Sequence, residues 1–266
     1  MHTSRLPTYF ITHGGGPWPY VPSMHAPHLA LEASLRDIPR QLPHTPRALL
    51  MISAHWIAPH FQVMASARPP MLYDYHGFPE QTYAVQYPAP GAPALAQRIA
   101  DLLKDSRIDA TLDAGRGFDH GSFVPAAVMY PQADIPMLQL SLRTGFDPAA
   151  HIAAGRALAS LRDEGVLIVG SGSSYHNLRA FGAQAQESSK RFDDWLQQAV
   201  ASTGEERNAA LIDWERAPAA RQAHPQEEHL LPLMVAVGAA ESEATTVIYH
   251  ENTFFGGVTA SSFRFG

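Results

Sequence analysis

Leu49-Leu50-Met51-Ile52-Ser53-Ala54-His55-Trp56 is a mostly apolar run that closes on a histidine. Near-continuous apolar runs of this length mark a strand covered on both faces, because a half-exposed strand alternates. The pattern recurs twice. Tyr9-Phe10-Ile11 leads to His13 and the turn Gly14-Gly15-Gly16-Pro17, and Val166-Leu167-Ile168-Val169 leads through Gly170-Ser171-Gly172-Ser173-Ser174 to His176. Such strands belong to a sheet with helices packed over it, and ligand sites in such sheets form beyond the strand ends. Three strands that open onto histidines therefore predict an α/β fold with a site at one sheet edge.

Working outward, glycine- and proline-bounded apolar runs predict strands at Thr8–Thr12, Ala48–Ser53, Phe61–Ala65, Met137–Leu142, Val166–Val169 and Thr245–Tyr249. Helical periodicity predicts helices at Pro27–Asp37, Ala92–Lys104, Pro148–Asp163, Ser188–Ala201 and Glu227–Gly238. The length suits one domain over residues 1–266. Ala67–Pro93 holds six prolines and reads as a long loop. Its aromatics, among them Tyr73, Tyr75 and Phe78, make it a pocket wall or an oligomer contact. Ser202–Gln226 is polar and reads as a segment crossing the surface.

Composition removes whole classes of function. The net charge is -6 with no basic stripe, which excludes a phosphate-tracking surface and hence nucleic acid as a partner. The absence of cysteine excludes disulfides, thiolate zinc sites, iron–sulfur clusters and cysteine nucleophiles, so any metal takes nitrogen and oxygen ligands. No apolar run reaches membrane-spanning or secretory length, which makes a cytoplasmic location the expectation.

Fourteen histidines are many for 266 residues. His13, His55 and His176 follow apolar strands. His229 stands at the start of the helix expected at Glu227–Gly238, beside Glu227 and Glu228. His120 lies in Gly117-Phe118-Asp119-His120-Gly121-Ser122, ahead of a helical start at Val124. The others, His2 included, read as surface or packing residues. His13 before three glycines also resembles the oxyanion loop of esterases, but the matching nucleophile elbow fails, since Gly172 stands where its serine belongs. Ligands this dispersed converge only through the fold, and imidazoles with or without one carboxylate suit zinc, iron, copper or nickel alike.

In order, His13-Gly14 with Pro17, Ser53-Ala54-His55-Trp56, Gly77-Phe78-Pro79, Tyr87-Pro88-Ala89-Pro90-Gly91, Gly117-Phe118-Asp119-His120-Gly121-Ser122, His176-Asn177-Leu178 and Glu228-His229 form a signature. It resembles the class III extradiol ring-cleavage dioxygenases of the LigB type, especially their 4,5-DOPA dioxygenase branch. The resemblance implies a three-layer α/β sandwich with a central mostly parallel or mixed sheet. It also implies a mononuclear non-haem Fe(II), with zinc an alternative occupant, carried here onto His13, His55 and His229. His176 would be the acid and base or a fourth ligand, and Glu228 a competitor of His229. One departure is His-Gly-Gly-Gly-Pro where the branch has His-Gly-Ser-Pro.

The implied reaction inserts both atoms of O2 into a catechol such as L-DOPA. His176 would take a catechol proton and return it later. His120 would steady substrate oxygen, while Trp18, Trp56 and Tyr75 would line the ring's slot. Two other readings use the same residues: a zinc-dependent hydrolase, and a non-enzymatic Memo-type interaction protein.

Overall fold

The computed structural model describes residues 4–266, so His2 lies outside the described residues. Eight strands form one mixed sheet: β1 (Thr8–Thr12), β2 (Ala48–Ala58), β3 (Phe61–Met64), β4 (Ala110–Asp113), β5 (Met137–Arg143), β6 (Val166–Gly172), β7 (Thr245–Phe254) and β8 (Val258–Phe265). Their spatial order is β4-β3-β5-β2-β6-β1-β8-β7. The central four, β5-β2-β6-β1, are parallel, and antiparallel pairing enters where β3 meets β5 and β8 meets β1 and β7. The fold is the expected α/β sandwich.

Alternation along β6 shows why its run is apolar on both faces. Successive strand residues point to opposite sides. A Cβ on Gly170 would meet the carbonyl of Pro232 at 2.3 Å, and one on Gly172 that of His229 at 2.0 Å. Only glycine lets the helix Leu231–Gly238 and the turn before it lie this close. Between them, Ser171 faces the other way and donates to the Gly121 carbonyl at the start of the helix His120–Met129. The sheet is thus sandwiched between two apolar helices, both almost wholly buried.

Parallel register aligns the strand ends. Thr12 stands opposite Gly172 and Ser53 opposite Ser171, so His13, His55 and the segment leading to His176 emerge at one edge. Three local expectations change. β2 does not stop before His55 but runs on to Ala58, and its pairing with β5 slips between Ile52 and Ile57. His55 sits in that irregularity, which re-aims side chains as bulges do. His229 lies in a turn before the helix, which starts at Leu231. Ser202–Gln226 is not a surface crossing: it contains the helices Gly204–Ile212 and Ala220–Ala223, and buries Arg207, Leu211, Trp214 and His224. Its charges misled because the Arg207 guanidinium is buried, donating to the backbone carbonyls of Ser202 and Glu243. β4 and β8 escaped notice, the first for its shortness and the second for its serine and alanine content.

Two buried histidines outside the site give the fold an acid weakness. His151 Nδ1 donates to the Asp147 carbonyl and its Nε2 accepts from the Arg143 amide, which fixes the ring as neutral. Burial pushes His151 down to about 4 and His224 down to about 3. With folded values below the ordinary value of about 6.5, the unfolded chain takes up protons first as pH falls. Their stabilising contribution is therefore intact above about pH 6.5 and is lost below it, by up to about 1.4 kcal/mol per pH unit for each ring. The urea midpoint is expected to fall steeply between about pH 7 and pH 5. His151→Gln, which keeps one donor and one acceptor, should flatten that fall.

Candidate metal centre

Five imidazoles meet at the sheet edge. His13 and His55 come from β1 and β2, His120 from the start of its helix, His176 from the segment after β6, and His229 from the turn before Leu231–Gly238. They face a cavity of about 330 Å³, at the lower end of the roughly 300–1,000 Å³ that small-molecule sites occupy.

The hydrogen-bond partners decide which nitrogens face inward. The single hydroxyl proton of Ser171 goes to the Gly121 carbonyl, so its oxygen must accept from His13 Nδ1 at 3.2 Å. His120 Nδ1 donates to Asp74 Oδ1 at 2.9 Å, and His229 Nδ1 to Glu228 Oε1 at 2.8 Å. His55 Nδ1 lies 3.3 Å from Asp74 Oδ2, and His176 Nδ1 3.2 Å from Glu228 Oε1. Every Nδ1 thus faces a hydroxyl or carboxylate oxygen, leaving the Nε2 lone pairs free. Those of His13 and His55 stand only 3.2 Å apart.

Burial, reinforced by neighbouring imidazoles, drives His13 and His229 well below the ordinary histidine range and His55 down to about 3. Burial alone would raise the Asp74 carboxyl, but its hydrogen bond from His120 and the nearby histidines outweigh this and hold it low. His13, His55 and His229 are therefore neutral, lone-pair-bearing imidazoles, and the carboxylates of Asp74 and Glu228 back the pocket. That is the outer-sphere arrangement that orients metal ligands.

Ring spacing tests which imidazoles fit one ion. With metal–nitrogen distances of about 2.0–2.1 Å, and ring centres about 1.1 Å further out, rings at right to tetrahedral angles stand about 4.5–5.2 Å apart. His13, His55 and His229 form a near-equilateral triangle with sides of 5.0, 4.9 and 5.3 Å. His13, His55 and His120 also gather their ligand atoms closely. However, the His55 and His120 ring centres are only 4.0 Å apart, below that range. His176 lies face to face on His229 at 3.3 Å, closer still. A second cluster of His176, Glu228 and His229 is accounted for by the Nδ1 contacts to Glu228.

The expected aromatic wall divides. Tyr75 lines the cavity, with its hydroxyl tied to the Thr82 carbonyl and its ring edge-on to His120. Trp18 does not: it is fully buried, donates Nε1 to the His13 carbonyl and stacks on His28 at 4.6 Å. Trp56 does not either, since it packs under the Arg116 guanidinium, which also bonds the His55 carbonyl and Asp119. Both tryptophans brace ligand-bearing backbone from behind. The long proline-rich loop forms one wall and supplies Asp74, which sequence reasoning passed over. The signal available was an acid flanked directly by two tyrosines, Tyr73 and Tyr75.

Ser171 offers a direct test of this outer sphere. Ser171→Ala removes the acceptor that fixes the His13 tautomer and should weaken metal binding roughly 10–100-fold, measured by chelator competition.

Comparison with known proteins covers this whole arrangement. The LigB family, described as the catalytic LigB subunit of aromatic ring-opening dioxygenase, matches residues 7–266. The 4,5-DOPA dioxygenase extradiol of Beta vulgaris is 38% identical over 264 residues, covering 97% of this chain and 96% of that protein. Its counterpart in Escherichia coli (strain K12) is 35% identical over 276 residues, covering 100% and 97%. The crystal structure of an uncharacterized protein from Escherichia coli K12 superposes with a TM-score of 0.78 at 32% identity, over 98% of this chain and 100% of that one. Since the match runs from β1 through the Asp74 loop to β8 and takes in all five histidines, the chain belongs to the LigB family of aromatic ring-opening dioxygenases.

Proposed function

We propose that this protein is an extradiol dioxygenase that opens a catechol ring with O2, its mononuclear Fe(II) held by His13, His55 and His229. The observation that carries this reading is the triangle of neutral imidazoles whose Nδ1 atoms all face oxygen partners. Relatives named for the same chemistry support it. When bound, an iron with three protein ligands supplies open positions for substrate and the single-electron chemistry that lets O2 react with a closed-shell ring. Zinc fits the same donors.

The chain's own groups handle protons and position. His176 accepts a proton from the catechol at Nε2 and later returns it, held in orientation by Glu228 and by its stack on His229. His120, fixed by Asp74, steadies substrate oxygen. Tyr75 bounds the ring's slot. The ring carbon–carbon bond beside the diol breaks and each freed carbon gains one atom of O2, so no outside reductant is required. The substrate class is a substituted catechol, with L-DOPA the example the relatives' names suggest. We place this activity in a single catalytic domain and in the cytoplasm. Among the described residues, no helix is long and apolar enough to cross a membrane.

The test is oxygen uptake. Iron-loaded protein mixed anaerobically with a panel of catechols and then exposed to air should consume one O2 per ring and yield a coloured ring-opened product. Absence of uptake across the panel would remove the dioxygenase reading. The family match gives no support to a hydrolase or an interaction module.

A further inference from the structure

The outer half of the cavity differs in chemistry from the histidine floor. Phe78, Phe181, Phe254 and Phe255 line it, together with Tyr175 and Leu178. Among the described residues, no lysine or arginine lines the cavity; Arg179, next in sequence to Leu178, is exposed and lies outside its wall. Apart from histidines, the one ionisable lining group that carries charge is Asp74, and its two oxygens face His120 and His55. Leu178, 72% exposed, continues this apolar lining toward solvent.

The glycine run brings these rings close to the histidines. Gly16 has φ +53°, and a Cβ there would sit 2.7 Å from the Phe78 ring; at Gly15 the Phe255 ring would be 3.8 Å away. Any side chain at Gly16 would push Phe78 outward. The run therefore seats aromatic rings beside the first proposed ligand.

From this we infer that the preferred substrates are catechols whose ring substituent is uncharged and apolar, an alkyl or aryl group, and not the charged side chain of an amino acid or a carboxylic acid. The inference rests on the diol-first binding proposed above. A catechol entering with its oxygens toward the histidines points its substituent along the phenylalanines and Leu178. An apolar group there is removed from water, whereas a carboxylate loses hydration and meets no lysine or arginine, His76 being the one further imidazole in the lining beyond the five.

The experiment compares 4-propylcatechol with 3-(3,4-dihydroxyphenyl)propanoate, near-isosteres that differ in a terminal carboxylate, and with L-DOPA. Dissociation constants come from calorimetry on zinc-loaded protein, which binds without turnover, and kcat/KM from oxygen uptake by iron-loaded protein. Both are measured at about pH 8, where ordinary imidazoles are neutral. The neutral catechol should bind and react about tenfold or more better than either charged one. Leu178→Arg, which sets a cation at the rim, should narrow that gap at least about threefold by improving the carboxylate. Equal or better binding of the carboxylate, or an unchanged gap in Leu178→Arg, overturns the inference. Selective binding to zinc-loaded protein with no oxygen uptake would sustain the ligand class while removing the dioxygenase reading. Uptake with a preference for L-DOPA would do the reverse.

Discussion

Replacing His13 or His55 with alanine is expected to strip the protein of metal and lower kcat/KM at least about 10³-fold, the factor that several kcal/mol of metal-derived stabilisation represents. Each of these rings presents an Nε2 lone pair, and the pair stands 3.2 Å apart, close to the spacing of two nitrogens on one ion. Removing either leaves two of three ligands, and metal per chain measured by mass spectrometry should drop from near one to a small fraction. His60→Ala is the control, because His60 is half-buried beside β3, bonds Thr111 and does not line the cavity. It should keep both metal and activity. The same measurement settles the third ligand. In the proposed site His229 is the third ligand and His120 stands beside the ion, so His229→Ala should lose metal while His120→Ala keeps it. The opposite result would make His120 the ligand.

Replacing His176 with alanine should separate chemistry from binding. Metal content and the affinity for a catechol on zinc-loaded protein should change little, while kcat falls by about 10²–10⁴-fold, the range for losing a positioned acid or base. The reason lies in the stack: His176 lies on His229 at 3.3 Å with its Nδ1 toward Glu228, so its Nε2 is presented to the cavity alongside the ligand. Glu228→Gln should produce a milder loss with two signatures, a moderate fall in metal affinity through His229 and a reduced kcat through His176. Its Oε1 faces both rings, and its Oε2 is buried with no partner. Should His176→Ala lose metal in the manner of His13→Ala, His176 belongs among the ligands and its role as acid and base falls.

The paired carboxylates have a common logic. Asp74 joins His55 to His120 and Glu228 joins His229 to His176, so each acid serves one proposed ligand and one ring proposed to act on substrate. An acid placed this way fixes two tautomers at once and raises the basicity of the ligand it backs. Of the two, only Glu228 was singled out in the sequence, and there as a rival ligand. Its Oε1 position against both Nδ1 atoms supports a role in orienting the His229 and His176 rings.

The sequence by itself determined the strand cores and the identity of the chemistry. Doubly buried strands must be apolar throughout, so β1, β2, β5 and β6 announce themselves, and a histidine directly after such a run has few structural reasons to be there. The absence of cysteine closed off thiolate functions without any fold. What only the tertiary structure decided is direction and distance. Trp18 and Trp56 neighbour His13 and His55 in sequence, yet strand alternation and the turn at Gly14 send both into the interior, away from the cavity. Asp74 is nineteen positions from His55 and forty-six from His120, and only the path of the proline-rich loop brings its two oxygens to both rings. Which three of five histidines can share an ion depends on differences of about an ångström between ring centres. Parallel register, a slipped strand pairing and two close-packed glycines set those differences, and none of them is a property of a residue alone.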